Sequence, residues 1–167
     1  MFVAKPSAAC SKQERYGELA RELAALLAGE TDGLANAANL TALYFGALAD
    51  LNWLGFYFLR ESELVLGPFQ GKVACVRIAL GRGVCGTAAR ERRTIVVPDV
   101  HAFPGHIACD AASRSEIVVP LVQNGRVLGV LDLDSPLEDR FDADDQAGLE
   151  AAVSVFLQGS DLSRLTG

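Results

Sequence analysis

The sequence predicts an α+β domain in which two N-terminal helices and a C-terminal helix pack on one central antiparallel sheet. Three observations support this fold class. Apolar residues recur at helical spacing near both ends of the chain, and short aromatic or β-branched runs bounded by turns fill its middle. Asn124-Gly125, between two such runs, is a strong signal for a β-hairpin. We expect one domain over residues 12–158, with tails at 1–11 and 159–167.

The composition limits the functions that are open to the chain. Half of the 167 residues are hydrophobic, the formal net charge is −6, and lysine and arginine form no run, so a nucleic-acid partner is not expected. No apolar segment reaches the roughly 18 residues of a membrane span, and Lys5 and Pro6 interrupt the region where an export signal is apolar. Four cysteines without such a signal are typical of the reducing cytoplasm. We therefore expect a cytoplasmic protein that binds no membrane.

Helical periodicity marks both ends of the chain. Leucine and alanine recur every three or four residues between positions 12 and 29. A second helix is predicted from Thr31 or Asp32 to Asp50. Near the C-terminus, Asp142 is placed to cap a last helix. The inward positions of that helix are predicted to be Leu149, Val153, Phe156 and Leu157.

Between these helices the sequence changes to the short, turn-bounded runs that are typical of strands. The predicted strands cover residues 53–59, 63–66, 74–80, 94–97, 116–122 and 126–132. The glycine-rich segment at residues 81–92, GRGVCGTAARER, predicts a short helix between the third and fourth strands. The result is an antiparallel meander interrupted by one short helix and one long loop.

The long loop between the fourth and fifth strands contains a candidate nucleophile. Its length of about 18 residues exceeds that of most structureless connections in compact domains, and such loops are usually functional. Cys109 lies in its middle, next to Asp110 and three residues after His106. A thiol on a loop, surrounded by groups that titrate or donate hydrogen bonds, is a candidate for nucleophilic attack.

The other cysteines allow different interpretations. Cys75 lies within a predicted strand, where a buried small hydrophobic residue is the default. Cys85 begins the short helix beside Arg82, and both a helix N-terminus and a nearby cation lower the pKa of a thiol. Cys85 is therefore predicted to be the most readily ionised of the four, although a packed residue under a tight turn fits equally well. Cys10, in the N-terminal tail, is interpreted as incidental.

A resident metal ion is not expected. His101, His106 and Cys109 have a spacing that matches no closed structural zinc pattern, and no Cys-x2-Cys pair completes one. A metal-binding module that uses His106, Cys109 and Cys85 remains as an alternative hypothesis.

Three carboxylates are predicted to meet at one end of the hairpin. Glu116 opens one strand, and Asp132 and Asp134 lie two residues apart near the end of the next, on one face. Pairing about the two-residue turn places Glu116 opposite Leu133, between the two aspartates. Such groups repel one another unless they bind a cation or a metal or retain a proton, and desolvation raises the pKa of a carboxyl group. A solvated strand end with unrelated acids is the alternative, which the apolar flanking residues disfavour.

Trp53 and Tyr57 lie four residues apart in the first predicted strand and therefore share one of its faces. They are candidates for the apolar wall of a small pocket. Aromatic residues of the hydrophobic core show the same pattern, so both interpretations stay open.

Taken together, several motifs resemble the free methionine-(R)-sulfoxide reductases, which are built on a GAF-type domain. The resemblance spans residues 12–158. It rests on NWLGFYF, LGPFQGKVACVRI, GRGVCGTAA, VVPDVHAFPGHIACDAASRSEIVVP, and GVLDLDSP followed by RFDADD. It implies a GAF-like fold and thiol-dependent reduction of free L-methionine (R)-S-oxide. A non-catalytic GAF sensor that binds a small ligand is the alternative.

The resemblance also implies roles for the cysteines. Cys109 attacks the sulfoxide sulfur and becomes a sulfenic acid, Cys75 resolves it as a disulfide, and Cys85 can also pair or relay. Thioredoxin, supplied by NADPH, restores the thiols, and no cofactor is required. Attack by Cys109 rather than Cys85 is compatible with the chemistry, because position relative to the substrate outweighs the intrinsic pKa of a thiol.

The same resemblance implies that Glu116, Asp132 and Asp134 bind the ammonium and sulfoxide groups of the substrate. Trp53 and Tyr57 then surround its methyl end. A homodimer formed through the first helices is a further expectation for a GAF-type domain.

Overall fold

The computed structural model describes residues 11–105 and 110–166. Within them a short 3-10 helix, Val100–Ala102, follows the fourth strand. The helices and strands, in chain order, are α1 (Lys12–Leu26), α2 (Gly33–Ala47), β1 (Trp53–Arg60), β2 (Glu63–Gly71), β3 (Arg77–Ala79), α3 (Gly83–Glu91), β4 (Ile95–Val97), β5 (Ser115–Gln123), β6 (Arg126–Ser135) and α4 (Ala143–Gly159). The predicted α+β class is confirmed.

The strands form one sheet in the order β3-β2-β1-β6-β5-β4, and every neighbouring pair is antiparallel. The predicted hairpin between β5 and β6 is confirmed, because Gln123 pairs with Arg126 across Asn124 and Gly125. These two turn residues have positive φ angles of 52° and 74°, as a tight turn of this kind requires.

The two faces of the sheet support different structures. On one face, which we call the helix-side core, α1, α2 and α4 pack against alternate residues of the central strands. Its largest strand contributions are Leu54, Phe56, Phe58, Ile117, Leu121, Leu131 and Leu133. The other face packs on α3 through a second apolar cluster, which includes Tyr57, Ile78, Val84, Ala88, Val118 and Val130. Side chains two apart on a strand share a face, so the central strands β1, β5 and β6 contribute to both clusters.

The boundaries of β2 and β3 differ from the prediction. The strand predicted at 63–66 continues to Gly71, and the one predicted at 74–80 shrinks to Arg77–Ala79. A bulge opposite Phe56 accommodates Gly67 and Pro68 within β2. Proline is tolerated there because β3 pairs only with residues 63–65 and needs no N–H from position 68. Residues 72–76 therefore form a loop.

The hairpin register also differs from the prediction. Leu121 pairs with Gly129 but Val122 pairs with Val127, so Leu128 is an extra residue in β6. The bulge shifts all later pairs by one position, and Glu116 lies opposite Asp134 rather than opposite Leu133. Residues directly opposite each other point to the same face, so the bulge places Glu116 on the α3 face with both aspartates.

The last helix begins as predicted. Asp142 caps α4 by accepting hydrogen bonds from the backbone N–H groups of Asp144 and Asp145. The four predicted inward residues, Leu149, Val153, Phe156 and Leu157, are buried. Among the described helices, none has the length and apolar character needed to cross a membrane.

Candidate functional site

The candidate site lies on the α3 face, where the start of β1, the start of β5, the end of β6 and the N-terminus of α3 meet. Asp134 lies opposite Glu116 of β5 on one side and opposite Trp53 of β1 on the other. Asp132 lies two residues earlier on β6, between Gly55 and Val118. The sheet register alone therefore brings the predicted carboxylates and one predicted aromatic residue together.

A thiol and two carboxyl groups form the buried centre of the site. One oxygen of Glu116, one oxygen of Asp132 and Sγ of Cys85 all lie within 4.8 Å of one another. Asp132 accepts hydrogen bonds from Cys85 and Glu116. Its Oδ1 atom is buried and has no hydrogen-bond partner within residues 11–105 and 110–166. A buried carboxylate oxygen in this position is able to accept from a hydrogen-bond donor or to bind a cation.

Burial sets the protonation of the carboxylates. It raises the pKa of Asp132 to about 7, although hydrogen bonds from Cys85 and Glu116 act in the opposite direction. Burial, followed by the charges of the two aspartates, raises the pKa of Glu116 well above its usual range. The pKa of Asp134 is also raised well above its usual range by burial and the charge of Asp132, and a hydrogen bond with Ser113 partly offsets this. The cluster thus retains protons near neutral pH.

The predicted low pKa of Cys85 is wrong. Burial raises the pKa of this thiol well above its usual value, and the charges of Asp132 and Glu116 raise it further. Cys85 does lie in the first turn of α3, as predicted. The helix N-terminus is outweighed because the thiolate would lie in an apolar interior beside two acidic groups.

The two predicted aromatic residues form a wall of the site. Trp53 stacks on Tyr57, with ring centroids 5.9 Å apart, and on Phe69 at 5.5 Å. The indole N–H donates to the carbonyl of Lys72 over 3.1 Å, and the Tyr57 hydroxyl donates to the carbonyl of Cys75 over 3.0 Å. These hydrogen bonds attach the loop at residues 72–76 to β1. Cys75 is half-buried in this loop and not within a strand, which corrects its predicted setting.

A polar network beside the carboxylates was missed by the sequence analysis. The side-chain amide of Asn52 donates to Ser113 over 3.0 Å and to Asp110 over 3.2 Å. Lys72 pairs with Asp110 at 3.3 Å. Backbone donation from Ala112, together with Asn52 and Lys72, lowers the pKa of Asp110. These residues are far apart in sequence and form no motif, so only the folded structure reveals them.

A cavity of about 30 Å³ lies at the centre of the site. Its described lining includes Trp53, Tyr57, Val73, Ala74, Ile78, Arg82, Gly83, Val84, Cys85, Asp110, Ser113, Glu116, Asp132 and Asp134. The predicted nucleophile Cys109 and the neighbouring His106 lie outside the described residues. The structure therefore gathers six of the predicted side chains in or around one cavity.

The fold and this site define a GAF-domain protein, since the family model described as a GAF domain matches residues 34–156. The free methionine-R-sulfoxide reductase of Escherichia coli is 55% identical over 144 residues, which cover 86% of this chain and 87% of that protein. The Saccharomyces cerevisiae protein of the same name is 45% identical over 153 residues, which cover 87% of this chain and 85% of that protein.

A solved structure supports the same relationship. The X-ray structure of free methionine-R-sulfoxide reductase from Neisseria meningitidis, in complex with its substrate, has a TM-score of 0.90 and 44% identity. The match covers 97% of this chain and 98% of that one. The chain belongs to the free methionine-R-sulfoxide reductase family, which confirms the resemblance inferred from its motifs and the enzyme class that this resemblance implied.

Proposed function

We propose that this protein reduces free L-methionine (R)-S-oxide to L-methionine by a thiol mechanism. Membership of the reductase family supports the reaction. The observation that carries the proposal is the collection of Glu116, Asp132 and Asp134 beside an aromatic wall in one cavity. Such a site suits a small molecule that has a cationic end, a polar sulfoxide and an apolar methyl group.

Each part of the substrate has a complementary group in the site. The ammonium group pairs with ionised carboxylates, and the partnerless Oδ1 atom of Asp132 is a suitable acceptor. A carboxyl group that retains its proton donates to the sulfoxide oxygen, since burial raises the pKa of the cluster. Trp53 and Tyr57 pack against the methyl end.

The proposed chemistry uses the cysteines in sequence. The thiolate of Cys109 attacks the sulfoxide sulfur, and the sulfoxide oxygen takes up one proton. The resulting hydroxyl group moves to the Cys109 sulfur as the bond between the two sulfur atoms breaks, so methionine leaves and Cys109 becomes a sulfenic acid. Cys75 then attacks the sulfenic sulfur, so a disulfide forms and water is released. In an alternative route, Cys85 instead of Cys75 forms the disulfide with Cys109 or relays it by thiol–disulfide exchange. Asp110, the residue that follows Cys109 in the sequence, lines the cavity, which supports the choice of Cys109 as the nucleophile.

The electrons come from thioredoxin and ultimately from NADPH, through exchange of the protein disulfide with the thioredoxin dithiol. No cofactor takes part in this cycle. Such recycling needs a reducing compartment, so we place the reaction in the cytoplasm.

The decisive experiment is thioredoxin-coupled oxidation of NADPH with the separated R and S sulfoxides of free methionine. We expect turnover of the R form alone, abolished in Cys109→Ser and retained in the matched variant Cys10→Ser. An N-acetylated R sulfoxide should be a poor substrate, because it lacks the ammonium group that the carboxylates bind. Full turnover by Cys109→Ser contradicts the mechanism. Binding of the sulfoxide by folded, reduced wild-type protein without turnover supports a sensor instead.

A further inference from the structure

The thiol and carboxylates at the centre of the site also form a set of metal ligands. Cys85 Sγ and one oxygen each of Glu116 and Asp132 lie within 4.8 Å of one another. All three residues are at least nine-tenths buried, with exposed fractions of 4%, 5% and 6%. They project from three separate elements, α3, β5 and β6, towards one point.

An independent observation indicates that this point accepts a cation. Oδ1 of Asp132 is buried without a hydrogen-bond partner in the described part of the chain. Burial of a hydrogen-bond acceptor away from water costs free energy unless a donor or a positive ion binds to it. The adjacent cavity of about 30 Å³ has room for a single ion or water molecule.

The chemistry of the three ligands selects the ion. Sulfur is a poor ligand for Mg²⁺ and Ca²⁺, which prefer oxygen, whereas Zn²⁺ accepts one thiolate together with carboxylate oxygens. Bond lengths of about 2.0–2.3 Å separate the ligand atoms of a tetrahedral zinc ion by about 3.5 Å. Small side-chain rotations therefore suffice to bring the present ligand atoms around one ion.

We propose that Cys85, Glu116 and Asp132 bind one Zn²⁺ ion, with the fourth position open to the cavity. This site shares only Cys85 with the metal module considered from the sequence. Three protein ligands and an open position describe an exchangeable ion rather than a closed structural zinc site. The thiol binds as a thiolate and Glu116, which donates a hydrogen bond to Asp132 in the metal-free site, binds as a carboxylate, so both protons pass to the buffer.

Zinc binding has a consequence that rests on the proposed function. The ion occupies two carboxylates that the substrate needs and fills the space that its polar groups would enter. Zn²⁺ is therefore a reversible inhibitor that competes with free methionine sulfoxide, and a chelator restores activity.

Direct measurement of metal content tests the site without any assay of activity. Fully reduced, full-length protein is equilibrated with Zn²⁺ by dialysis, and bound metal is counted by elemental analysis and titration calorimetry. We expect one ion per chain in the wild type. Cys85→Ser and Asp132→Asn should each weaken binding by at least about 100-fold, because loss of a direct ligand exceeds the effect of losing its supporting contacts. Cys75→Ser is the matched control and should bind like the wild type.

Spectroscopy identifies the ligands even where a variant folds poorly. Co²⁺ in place of Zn²⁺ should give the absorption of a tetrahedral site with a single thiolate, and Cys85→Ser should lose the thiolate band. Zinc binding that survives both ligand substitutions, a site with two or more sulfur ligands, or the absence of binding to folded wild type overturns the proposal. None of these results bears on turnover in metal-free buffer, so the two proposals fail separately.

Discussion

Two opposing effects, burial and hydrogen bonding, determine the pKa of the Asp132 carboxyl group. Burial raises its pKa to about 7, and the hydrogen bonds that it accepts from Cys85 and Glu116 keep it from rising further. An ordinary aspartate ionises near pH 4. The folded protein therefore binds more protons than the unfolded chain between about pH 4 and pH 7. A group with this behaviour stabilises the fold least when it is ionised.

We expect the free energy of unfolding to fall as the pH rises from 4.5 to 7.5. Because its folded pKa exceeds its unfolded value, Asp132 contributes fully below about pH 4 and loses that contribution as the pH passes its folded pKa of about 7. The shift corresponds to a loss on the order of 4 kcal/mol, at about 1.4 kcal/mol per pKa unit. Glu116 and Asp134 act in the same direction. Urea unfolding of reduced protein at several pH values measures the slope.

The variant Asp132→Asn isolates this contribution, since an amide does not titrate. Its free energy of unfolding should fall less than that of the wild type across the same pH range, by the contribution of Asp132, while Glu116 and Asp134 keep theirs. Asp142 does not confuse the comparison, because Lys12 lowers its pKa to about 2 and its contribution is lost only at lower pH. Equal slopes for wild type and Asp132→Asn would show that Asp132 has the same protonation state in the folded and the unfolded protein across this range.

Replacement of either of two buried tyrosines by phenylalanine is expected to change the free energy of unfolding, but in opposite directions. The Tyr44 hydroxyl lies in the helix-side core and has no partner among the residues that the structure describes. The Tyr16 hydroxyl donates to Asp145 over 2.8 Å. We expect Tyr44→Phe to raise the free energy of unfolding by about 1 kcal/mol, because it removes an uncompensated polar group.

Tyr16→Phe, the matched control, should instead lower the free energy of unfolding by about 1.5–3 kcal/mol, since it deletes a hydrogen bond to a charged group. Urea denaturation of both variants beside the wild type provides the comparison. A larger loss in Tyr44→Phe than in Tyr16→Phe would mean that the Tyr44 hydroxyl has a partner after all.

At the scale of elements, the bulge in β6 decides where the acidic side chains point. With one extra residue at Leu128, Leu131 and Leu133 face the helix-side core while Asp132 and Asp134 face α3. A register without the bulge would pair Glu116 with Leu133 and direct its carboxyl group into the apolar core. The cost of burying a charge there favours the observed register.

The sequence predicted the hairpin but not its bulge, and the difference has a physical cause. Asn124-Gly125 is a local signal, readable from two residues. The position of the extra residue, Leu128, depends on residues that are distant in sequence. They pack alternately on the two faces of the sheet, and Gly129 lies close to β1. The same limit explains the error on Cys85, whose helix position is local but whose acidic neighbours lie more than thirty residues later.

Gly129→Ala tests the role of the bulge. A Cβ atom at Gly129 would collide with the backbone carbonyl of Tyr57 on β1. We expect a loss of at least about 2 kcal/mol in the free energy of unfolding, because strained packing inside a sheet relaxes poorly. Reductase activity should fall with it in any protein that folds. Thermal and urea unfolding, followed by the sulfoxide assay, measure both effects.

Gly46→Ala is the matched control, since a Cβ atom there meets no other atom within 4 Å on helix α2. It should stabilise the protein by up to about 1 kcal/mol through helix propensity. Wild-type stability in Gly129→Ala would show that β6 slides or bends away from β1 without cost.

At the scale of the whole molecule, the main hydrophobic core and the candidate site lie on opposite faces of the sheet. The helix-side core contains most of the large buried apolar side chains and involves three long helices. The α3 face contains the cavity, the raised-pKa carboxylates and the partnerless Asp132 oxygen. Buried acidic groups without a cationic partner destabilise a fold, so packing in the opposite layer must compensate for them. The helix layer also has a buried carboxylate, but this one is paired with cationic side chains and serves as a polar anchor.

Asp145 is that anchor. Its carboxylate accepts from Lys12 at 2.6 Å, from Arg140 at 3.1 Å and from the Tyr16 hydroxyl at 2.8 Å. Arg140 also donates to the carbonyl of Ala49, just after α2. The side chain of Asp145 is 1% exposed and that of Arg140 is 13% exposed. One buried carboxylate thus connects α1, the chain after α2 and the start of α4.

Removal of this charge should destabilise the molecule while leaving the cavity intact. We expect Asp145→Asn to lower the free energy of unfolding by about 3–5 kcal/mol, because it leaves the half-buried Arg140 guanidinium without its buried counter-charge. Asp144→Asn, whose side chain accepts from exposed Gln13, should change it by less than about 1 kcal/mol. At temperatures at which the variant is folded, Asp145→Asn should retain sulfoxide turnover, since Asp145 lies on the opposite side of the sheet from the site. Turnover lost in the folded variant would mean that the helix layer also sets the geometry of the cavity.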